Sequence, residues 1–529
     1  MVEFLDLPTD IWIYVWYYFL DAQDVISLLQ TCRVTYALCS NQSLWAKKLK
    51  EVIQKDALFS PSFDLNTMSL NDCKRAVLAP MRMASIFESA QTSSLEGGRA
   101  KIRPASSRIL PFALASPILM MLMVPGGRFL AVKTAQEILM VDVESNEGPS
   151  EKMRRKTGEE LRRASSIFVT SPSIDGSKVR IATVENPGIG AESSRITVLE
   201  FDPVKRELYR LASRHLDQVR PHNANVLLSD ALAGQLFCYY SDGYIFAWNF
   251  LEDVFLSWYV DPTLHYTQRF RKLVIDHVKK LLILFADQTL LFWDINDILC
   301  IKESGRMATF LPKWSCTFDI HLFSNPDLLA PAGAGQSTFI CSHNTWYHQD
   351  FSLPGFDLLA YEGHGPQVYY HTYEIEYDAT GGDRPVVKLA QMHDVPQFRK
   401  IERSLVTKQS RLCGGKTILL WENHELEGLF ALIRTTKTVS DNEFQPLPLK
   451  HAYLSDVELV HPANREEDNS NNRVRAHLVR WNGFGASSFD PASGRLCTTG
   501  DDKTKVVVTD YLGDFGISKG ANTVSDFSQ

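Results

Sequence analysis

The chain has 529 residues, of which 45% are hydrophobic and 22% are charged, a composition typical of a globular protein with a large core or several domains. Its net charge of −7 argues against nucleic acid as the main partner, because phosphate binding requires concentrated Lys and Arg. Its nine cysteines include no C-x-x-C pair, which favours thiols in a reducing compartment over disulfides or a zinc site. We therefore expect a cytoplasmic or nuclear protein.

Residues 1–56 open with a short predicted helix that carries more apolar side chains than one face can hold. Pro8 stands at its start, where the missing N–H costs nothing. One face, with a repeat of four residues, contains Ile11, Val15 and Phe19, and the aromatic residues off that face include Tyr14, Tyr17 and Tyr18. A small unit cannot bury two such faces, so the excess apolar surface predicts a partner. The helix is too short to cross a hydrocarbon layer of about 30 Å, so we expect no membrane association.

Three more helices are predicted in the same segment. Asp21 and Asp24 have capping-box spacing in front of the second helix. The third covers residues 32–38, and Asn41 or Ser43 can cap the fourth. The apolar positions of the fourth helix are Leu44, Trp45 and Leu49.

The order and spacing of these residues resemble an F-box. The matching positions are Leu7-Pro8, Asp10-Ile11, Val15, Leu20-Asp21, Asp24, Thr31-Cys32-Arg33 and Leu44-Trp45. Asp10 stands where the family usually has Glu, and Tyr36 where it often has Trp, so charge and aromatic character are kept. The resemblance implies that this segment docks on a Skp-type adaptor, which joins a cullin ubiquitin ligase.

The resemblance also indicates which side chains contact the adaptor. They are Leu7, Pro8, Ile11, Val15, Leu20, Leu28, Cys32 and Trp45. Leu28 and Trp45 fit equally well as internal core of the segment. The alternative for the whole segment is a helical cap on the rest of the chain, with its apolar positions as ordinary core.

Residues 57–109 are predicted to connect this segment to the remainder of the chain. A helix is expected over residues 69–87, with Ser69 and Asp72 as its capping pair. Pro80 is expected to kink or end that helix. The polar stretch 92–108 predicts a linker or loop.

From residue 110 to residue 516 the pattern is strand-like and repeats. Clear hairpins, each with two apolar strands and a short polar turn, occupy residues 127–142, 234–249, 280–294 and 494–510. Another apolar run precedes each of them, at residues 118–124, 224–229, 273–276 and 476–481. Each unit therefore has at least three antiparallel strands.

Weaker copies at residues 165–201, 337–378 and 405–433 bring the number of units to seven. Repeats of about 40–50 residues with four strands each predict a β-propeller. Trp293-Asp294 ends one unit, and the array resembles a divergent WD-repeat protein, although the Gly-His dipeptide of that family is not in its usual place. The region 303–334 predicts a long ordered connection between blades, and 517–529 predicts a flexible tail.

The sequence contains no convincing catalytic, cofactor or metal site. Gly414-Gly415-Lys416-Thr417 is similar to a phosphate loop, but a predicted strand follows where a helix is required. The histidine pairs lack the spacing of helical metal ligands. We therefore expect a protein that is not an enzyme and needs no cofactor.

The predicted fold class is α+β multidomain, with a small all-α F-box module followed by an all-β propeller of about seven blades. The resemblance implies a substrate-recognition subunit of a Skp–cullin–F-box ubiquitin ligase, whose propeller binds a target protein. One alternative is a propeller-based enzyme or small-ligand binder with a helical accessory, which predicts converging polar groups at the channel mouth. Another is an F-box scaffold that acts outside a ligase.

Overall fold

A computed structural model gives the structure of the chain. It describes residues 8–20, 22–92, 101–102, 104–145, 147–156, 168–185, 194–216, 229–241, 243–260, 271–276, 279–286, 289–307, 310–317, 337–342, 355–361, 368–377, 385–394, 406–413, 416–423, 428–435, 450–454, 486–500 and 503–512. Leu7, Asp21, the apolar run 476–481 and the predicted tail 517–529 lie outside these ranges.

Five helices open the chain. They are α1 (Thr9–Phe19), α2 (Ala22–Leu29), α3 (Arg33–Cys39), α4 (Gln42–Lys55) and α5 (Leu70–Thr92). Pro8 is the N-cap residue of α1, as the sequence predicts. Asn41 caps α4, because its side-chain oxygen accepts a hydrogen bond from the Ser43 N–H at 2.9 Å. The four helices predicted before residue 56 are therefore present.

Helix α5 begins with the predicted capping box. The Ser69 hydroxyl accepts the Asp72 N–H at 3.2 Å, and the Asp72 carboxylate accepts the Ser69 N–H at 3.2 Å. Pro80 lies inside this helix and does not end it. Burial offsets the hydrogen bond that the proline removes, since Cys73, Val77 and Pro80 itself are all buried.

After α5, two short strands, β1 (Lys101–Ile102) and β2 (Ser106–Ile109), lead into seven sheets that the described residues form. Sheet I contains β3 (Ile118–Met123), β4 (Phe129–Thr134), β5 (Glu137–Asp142) and β6 (Arg154–Lys156). Sheet II contains β7 (Phe168–Pro172), β8 (Val179–Glu185), β9 (Ser194–Asp202) and β10 (Glu207–Leu216). Sheet III contains β11 (Ser229–Ala233), β12 (Leu236–Ser241), β13 (Tyr244–Asn249) and β14 (Val254–Tyr259), and β14 also pairs in parallel with the later strand β18 (Gly305–Met307).

Sheet IV contains β15 (Arg271–Asp276), β16 (Leu281–Ala286), β17 (Thr289–Asp294) and β19 (Trp314–Thr317). Along the chain, helix α6 (Ile295–Cys300) and strand β18 (Gly305–Met307) come between β17 and β19. Sheet V contains β20 (Ser337–Ser342), β21 (Gly355–Tyr361), β22 (Val368–Tyr377) and β23 (Pro385–Asp394). Sheet VI contains β24 (Val406–Cys413), β25 (Lys416–Asn423), β26 (Gly428–Thr435) and β27 (Lys450–Leu454). Sheet VII contains β28 (Ser487–Asp490), β29 (Arg495–Thr499), β30 (Val506–Asp510) and β2.

The sheets follow one another around a ring. The first strands of successive sheets contact one another from β3 through β7, β11, β15 and β20 to β24, and β28 of sheet VII contacts β3. Strand β2 pairs with β30, so a strand from near residue 106 completes the sheet that also holds residues 486–510. A series of sheets, each with four antiparallel strands and two of them with an added parallel strand, in which the last sheet also contacts the first, is the arrangement of a β-propeller. Apolar cores lie between neighbouring sheets, as between III and IV.

Two regions predicted as linker and connection, residues 57–109 and 303–334, contain strands that the sequence did not predict. β1 adds to sheet VI by pairing in parallel with β27, and β2 lies before the predicted propeller start at residue 110. β18 and β19 lie within 303–334. These strands are short and polar, and their partners in the case of β1 and β2 lie more than 300 residues away, so no local pattern marks them.

The predicted hairpins agree closely with the observed strands. Residues 127–142, 234–249, 280–294 and 494–510 contain the pairs β4–β5, β12–β13, β16–β17 and β29–β30. The first strand of sheet VII is β28, which lies after the predicted run 476–481. In sheet III the first strand begins at Ser229, where the predicted run 224–229 ends.

Candidate protein-binding surface

Helices α1–α4 form a unit with an apolar core, which we call the helical module. Trp12 and Trp16 on α1 are 1% and 0% exposed, and their ring centroids lie 5.3 Å apart. They belong to one cluster with Val25 of α2 and Leu44 of α4. Ala492, in the turn between β28 and β29, is part of the same cluster. The core of the module therefore extends onto sheet VII.

The opposite side of α1 is exposed and carries large apolar side chains. Tyr14 and Tyr18 are 55% and 63% exposed, and their ring centroids lie 4.6 Å apart. Ile11, three residues before Tyr14, is 46% exposed, and Phe19 is 71% exposed. We call these four residues the aromatic stripe. A contiguous apolar surface of this kind on a folded unit is typical of a protein-binding site.

Helix α3 contacts α1 and extends the exposed apolar surface of the module. Val34 and Tyr36 on this helix are 45% and 54% exposed. The Tyr36 ring has the ammonium group of Lys74 at 5.9 Å from its centroid, and the same ammonium lies 5.6 Å from the Trp45 ring. This contact with α5 orients the Tyr36 ring.

The eight residues predicted to contact an adaptor fall into different environments. Pro8, Ile11 and Cys32 are exposed. Val15, Leu20 and Leu28 are half-buried against the core of the helical module. Trp45 is fully buried, and Leu7 lies outside the described residues. The structure therefore leaves the first contacts of the predicted surface, Pro8 and Ile11, open to a partner.

Trp45 cannot contact a partner, so its prediction as an adaptor-binding residue is wrong. It is 0% exposed, and its indole N–H donates to the Cys39 carbonyl at 2.7 Å. The buried positions of α4 include Leu44 and Leu49, which flank it. The alternative that the sequence left open for this residue, internal core, is the observed one.

The sequence reasoning missed Tyr14, Tyr18 and Phe19 as candidate contact residues. The repeat of four residues groups Phe19 with Ile11 and Val15, but a second repeat, Trp12 and Trp16, runs beside it and forms the buried side. The largest apolar side chains of α1 are these two tryptophans. That size difference was the signal available for choosing the buried side.

Cys32 is an exposed thiol that caps α3. Its sulfur accepts the Thr35 N–H at 3.5 Å, and the Thr35 hydroxyl accepts the Cys32 N–H at 3.3 Å. This reciprocal pair is a capping box in which sulfur replaces the usual hydroxyl oxygen. The hydrogen bonds from Thr35 hold the pKa of the Cys32 thiol below its ordinary value.

A cleft of about 980 Å³ is lined by side chains from residues 62–79 on one side and by residues of sheets I and VII on the other. Arg128 and Arg495 line its ring side, but each is paired with a carboxylate. Arg128 contacts Asp142 at 3.2 Å, and Arg495 contacts Glu144 at 3.0 Å. Asp64, Asp72 and Arg75 also line the cleft, so side chains of both charges face it.

In the described part of the chain, no three side chains of His, Cys, Asp or Glu come together as metal ligands. None of the described helices is both long enough and apolar enough to cross a bilayer. Strand β25 begins at Lys416, so the predicted strand after Gly414-Gly415 is confirmed, while the two glycines lie outside the described residues.

Comparison with known proteins gives structural likeness only, since no protein-family model and no curated protein matches the chain. The WD40 domain of SCAP from fission yeast aligns at 9% identity over 75% of this chain and 84% of that domain, with a TM-score of 0.36. The β-propeller domain of Cps50 (Swd1) from Myceliophteria thermophila aligns at 11% identity over 76% and 99%, with a TM-score of 0.39. The N-terminal domain of Nup159 aligns at 8% identity over 78% and 97%, with a TM-score of 0.33. The propeller assignment rests on the sheets and ring closure described above.

Proposed function

We propose that this protein is the substrate-recognition subunit of a Skp–cullin–F-box ubiquitin ligase. In this proposal the helical module binds a Skp-type adaptor, and a propeller of seven blades binds the target protein. The observation that carries it is the aromatic stripe, which leaves four large apolar side chains exposed on a module whose core is already filled. The agreement of residues 7–45 with the F-box pattern gives the class of partner.

The chain performs no chemistry in this role and acts by proximity. An adaptor on the helical module and a target on the ring are joined through one chain, which raises their effective concentration. The packing of the module's core cluster on Ala492 of sheet VII supports this role, because a flexible joint lowers effective concentration. The ring offers many turns for recognition, and the sequence does not identify the target.

The adaptor is expected to contact the aromatic stripe together with Pro8 and Cys32. Ile11 lies at the start of the stripe, next to Pro8, and is therefore the most informative position for a test. We expect Ile11→Asp to weaken adaptor binding by on the order of 100-fold, because it buries a charge in an apolar interface. Binding of the full chain to a recombinant Skp-type adaptor is measured by isothermal titration calorimetry.

The matched control is Val204→Asp, because Val204 is 90% exposed in the turn between β9 and β10, away from the helical module. It introduces the same charge on the ring and is expected to leave binding unchanged. Equal affinity for wild type and Ile11→Asp would show that this surface does not bind the adaptor.

A scaffold that uses the module outside a ligase predicts the same adaptor binding. Reconstituted ubiquitin transfer separates the two roles. The full chain, with adaptor, cullin and a target co-purified from proteasome-inhibited cells, should support transfer to that target. Adaptor binding without transfer would favour the scaffold, and catalytic turnover of a small molecule by the chain alone would favour the enzyme alternative.

A further inference from the structure

The ring closes at one junction between sheet VII and sheet I, which we call the seam. The Met123 N–H donates to the Ser488 hydroxyl across the seam at 2.8 Å, and the Gly126 N–H donates to the Asp490 carboxylate at 3.2 Å. The Arg495 guanidinium donates to the Gly127 carbonyl at 3.1 Å. Backbone N–H groups in and next to sheet I therefore find their hydrogen-bond acceptors on side chains more than 360 residues away in the sequence.

Residues 58–63, after α4, clamp the sheet I side of the seam. The Phe59 N–H donates to the Pro125 carbonyl at 3.0 Å, and the Ser62 hydroxyl donates to the same carbonyl at 3.3 Å. The Phe59 side chain is 0% exposed and packs edge-on against Phe129 at 6.3 Å between ring centroids. The turn between β3 and β4 is therefore held from outside the ring.

The sheet VII side of the seam is held by the helices. Ala492, in the turn between β28 and β29, is 4% exposed and lies in the core cluster that contains Trp12 and Trp16. Phe87 of α5 packs edge-on against Phe489 at 6.3 Å between ring centroids. Both turns that meet at the seam thus contact the helical part of the chain.

The contact on the sheet I side leaves no room for a side chain. Gly126 has φ +99°, and a Cβ there would lie 2.9 Å from the Ser62 Cβ and 3.1 Å from the Phe63 ring. The neighbouring turn is equally tight, since a Cβ at Gly127 would overlap Ser493. Glycine is required here by both backbone conformation and close approach.

The equivalent turn of sheet II is held differently. Gly176 also has positive φ, at +69°, in the turn between β7 and β8. That turn is stabilised by its own side chains, since the Ser173 hydroxyl donates to Asp175 at 2.5 Å and the Ser177 hydroxyl donates to Asp175 at 2.6 Å. The clamp by residues 58–63 is thus a feature of the seam and not of every turn.

We propose that the helical module, with residues 58–63 and α5, is a clasp that keeps the propeller closed at the seam, and that a partner bound to the aromatic stripe tightens this closure. The tightening by a bound partner rests on the proposed function. The stripe and the seam are connected through one core, because the buried side of α1 packs in the cluster that includes Ala492. A ligand that binds only the intact module at 100 times its Kd lowers the population of opened states by about 100-fold.

The first test measures amide hydrogen exchange of Met123 in the full chain, because this amide spans the seam. We expect Gly126→Ala to accelerate Met123 exchange at least tenfold while residues 236–249 of sheet III keep their wild-type rates. Gly176→Ala introduces the same backbone strain in the turn of sheet II and should leave Met123 unchanged. Gly305→Ala controls for the substitution itself, since nothing lies within 4 Å of the added Cβ.

Relief of the contact should restore the seam. We expect Ser62→Gly in the Gly126→Ala background to slow Met123 exchange again, because it removes the Cβ that lies 2.9 Å away. If Gly126→Ala does not fold, Ser62→Ala gives a milder form of the test, since it removes only the hydroxyl that donates to Pro125. If Gly126→Ala and Gly176→Ala accelerate Met123 exchange equally, the clasp is overturned. If Gly126→Ala is unfolded, the clasp is overturned when Ser62→Ala leaves Met123 exchange unchanged.

The second test adds a recombinant Skp-type adaptor at 100 times its Kd. Met123 exchange is then expected to slow by up to about 100-fold in wild type and not in Ile11→Asp. Binding without any slowing overturns the coupling. Absence of adaptor binding contradicts the proposed function, and the glycine variants still decide whether the clasp exists.

Discussion

The two sides of α1 carry similar residue types and lie in opposite environments. Trp12 and Trp16 are buried and form the centre of the module's core, whereas Tyr14 and Tyr18 on the other side are more than half exposed. Aromatic content alone therefore does not separate core from binding surface. Between the tryptophans and the tyrosines the sorting follows polarity, because a tyrosine hydroxyl remains hydrated at an exposed position while a tryptophan contributes the larger buried area.

The largest expected effect comes from removing a buried ring. Trp16→Ala is expected to destabilise the helical module by about 3–5 kcal/mol, since it leaves a cavity in a filled core. Adaptor binding should be lost together with the fold of the module. Hydrogen exchange of α1 and α4 amides measures the stability of the module separately from that of the ring.

Trp16→Phe is the matched control for that variant. Among the described residues no acceptor lies within hydrogen-bonding distance of the Trp16 indole N–H, so phenylalanine removes a polar group that has no partner. We expect it to retain most of the stability that alanine loses. If alanine and phenylalanine lower the stability of the module by similar amounts, filling the core is not how the Trp16 indole stabilises it.

The second largest effect is expected on the exposed side and in binding only. Tyr18→Ala should weaken adaptor affinity by about 10–100-fold, or roughly 1.4–2.7 kcal/mol, because an exposed aromatic in a central stripe is a typical hot spot. The thermal transition of the free protein should stay unchanged, since Tyr18 is 63% exposed. Loss of stability with full affinity would reverse the assignment of the two sides.

Local contacts explain which parts of the structure could be predicted from the sequence. The caps of α4 and α5 involve residues two or three positions apart, and each clear hairpin has a turn of a few residues. Such elements are set by neighbouring residues. The helices of residues 1–56 and the hairpins of the ring were therefore predictable.

The completion of sheet VII by β2 could not be predicted, since it depends on a contact between residues about 400 positions apart, and the hydrophobic repeat alone did not identify the buried side of α1. Ser107 of β2 lies opposite Thr509 of β30, and a four-residue polar strand gives no sign of such a partner. The two repeats on α1, which start at Ile11 and Trp12, satisfy the helical period equally. In the sequence, only the larger size of the two tryptophans favours the side that packs against α3 and α4. The prediction for Trp45 was wrong because its burial likewise depends on packing that the helical period does not specify.

Val15 lies between the two sides of α1 and is expected to contribute to both. It is half-buried against the core, next to the aromatic stripe. Val15→Ala removes two methyl groups, and we expect a loss of about 1 kcal/mol in the stability of the module, together with a loss of no more than about 1 kcal/mol in adaptor binding. An effect on only one of these quantities would place Val15 entirely on that side of the helix.

The smallest expected effect concerns Lys74, whose ammonium group lies between the buried Trp45 ring and the exposed Tyr36 ring. Burial lowers the pKa of Lys74 below its ordinary value of 10.5, because the charged form is poorly hydrated there. The folded state therefore releases this proton at lower pH than the unfolded chain does. Stability should rise with pH from the folded pKa up to 10.5, the value of the unfolded chain.

The neighbouring Cys39 thiol changes stability in the opposite direction over part of the same range. Burial raises its pKa from 9.0 to about 11, so its contribution to stability falls as the pH rises between these values. The difference in unfolding free energy between wild type and Lys74→Met reports the lysine together with its charge interaction with Cys39, because Lys74 lowers the pKa of that thiol. We expect the two proteins to be within about 1 kcal/mol at pH 7, where the cation–π contacts oppose the cost of burying the charge. Above that pH the advantage of wild type should grow, and a pH-independent difference would show that Lys74 is hydrated in the folded protein.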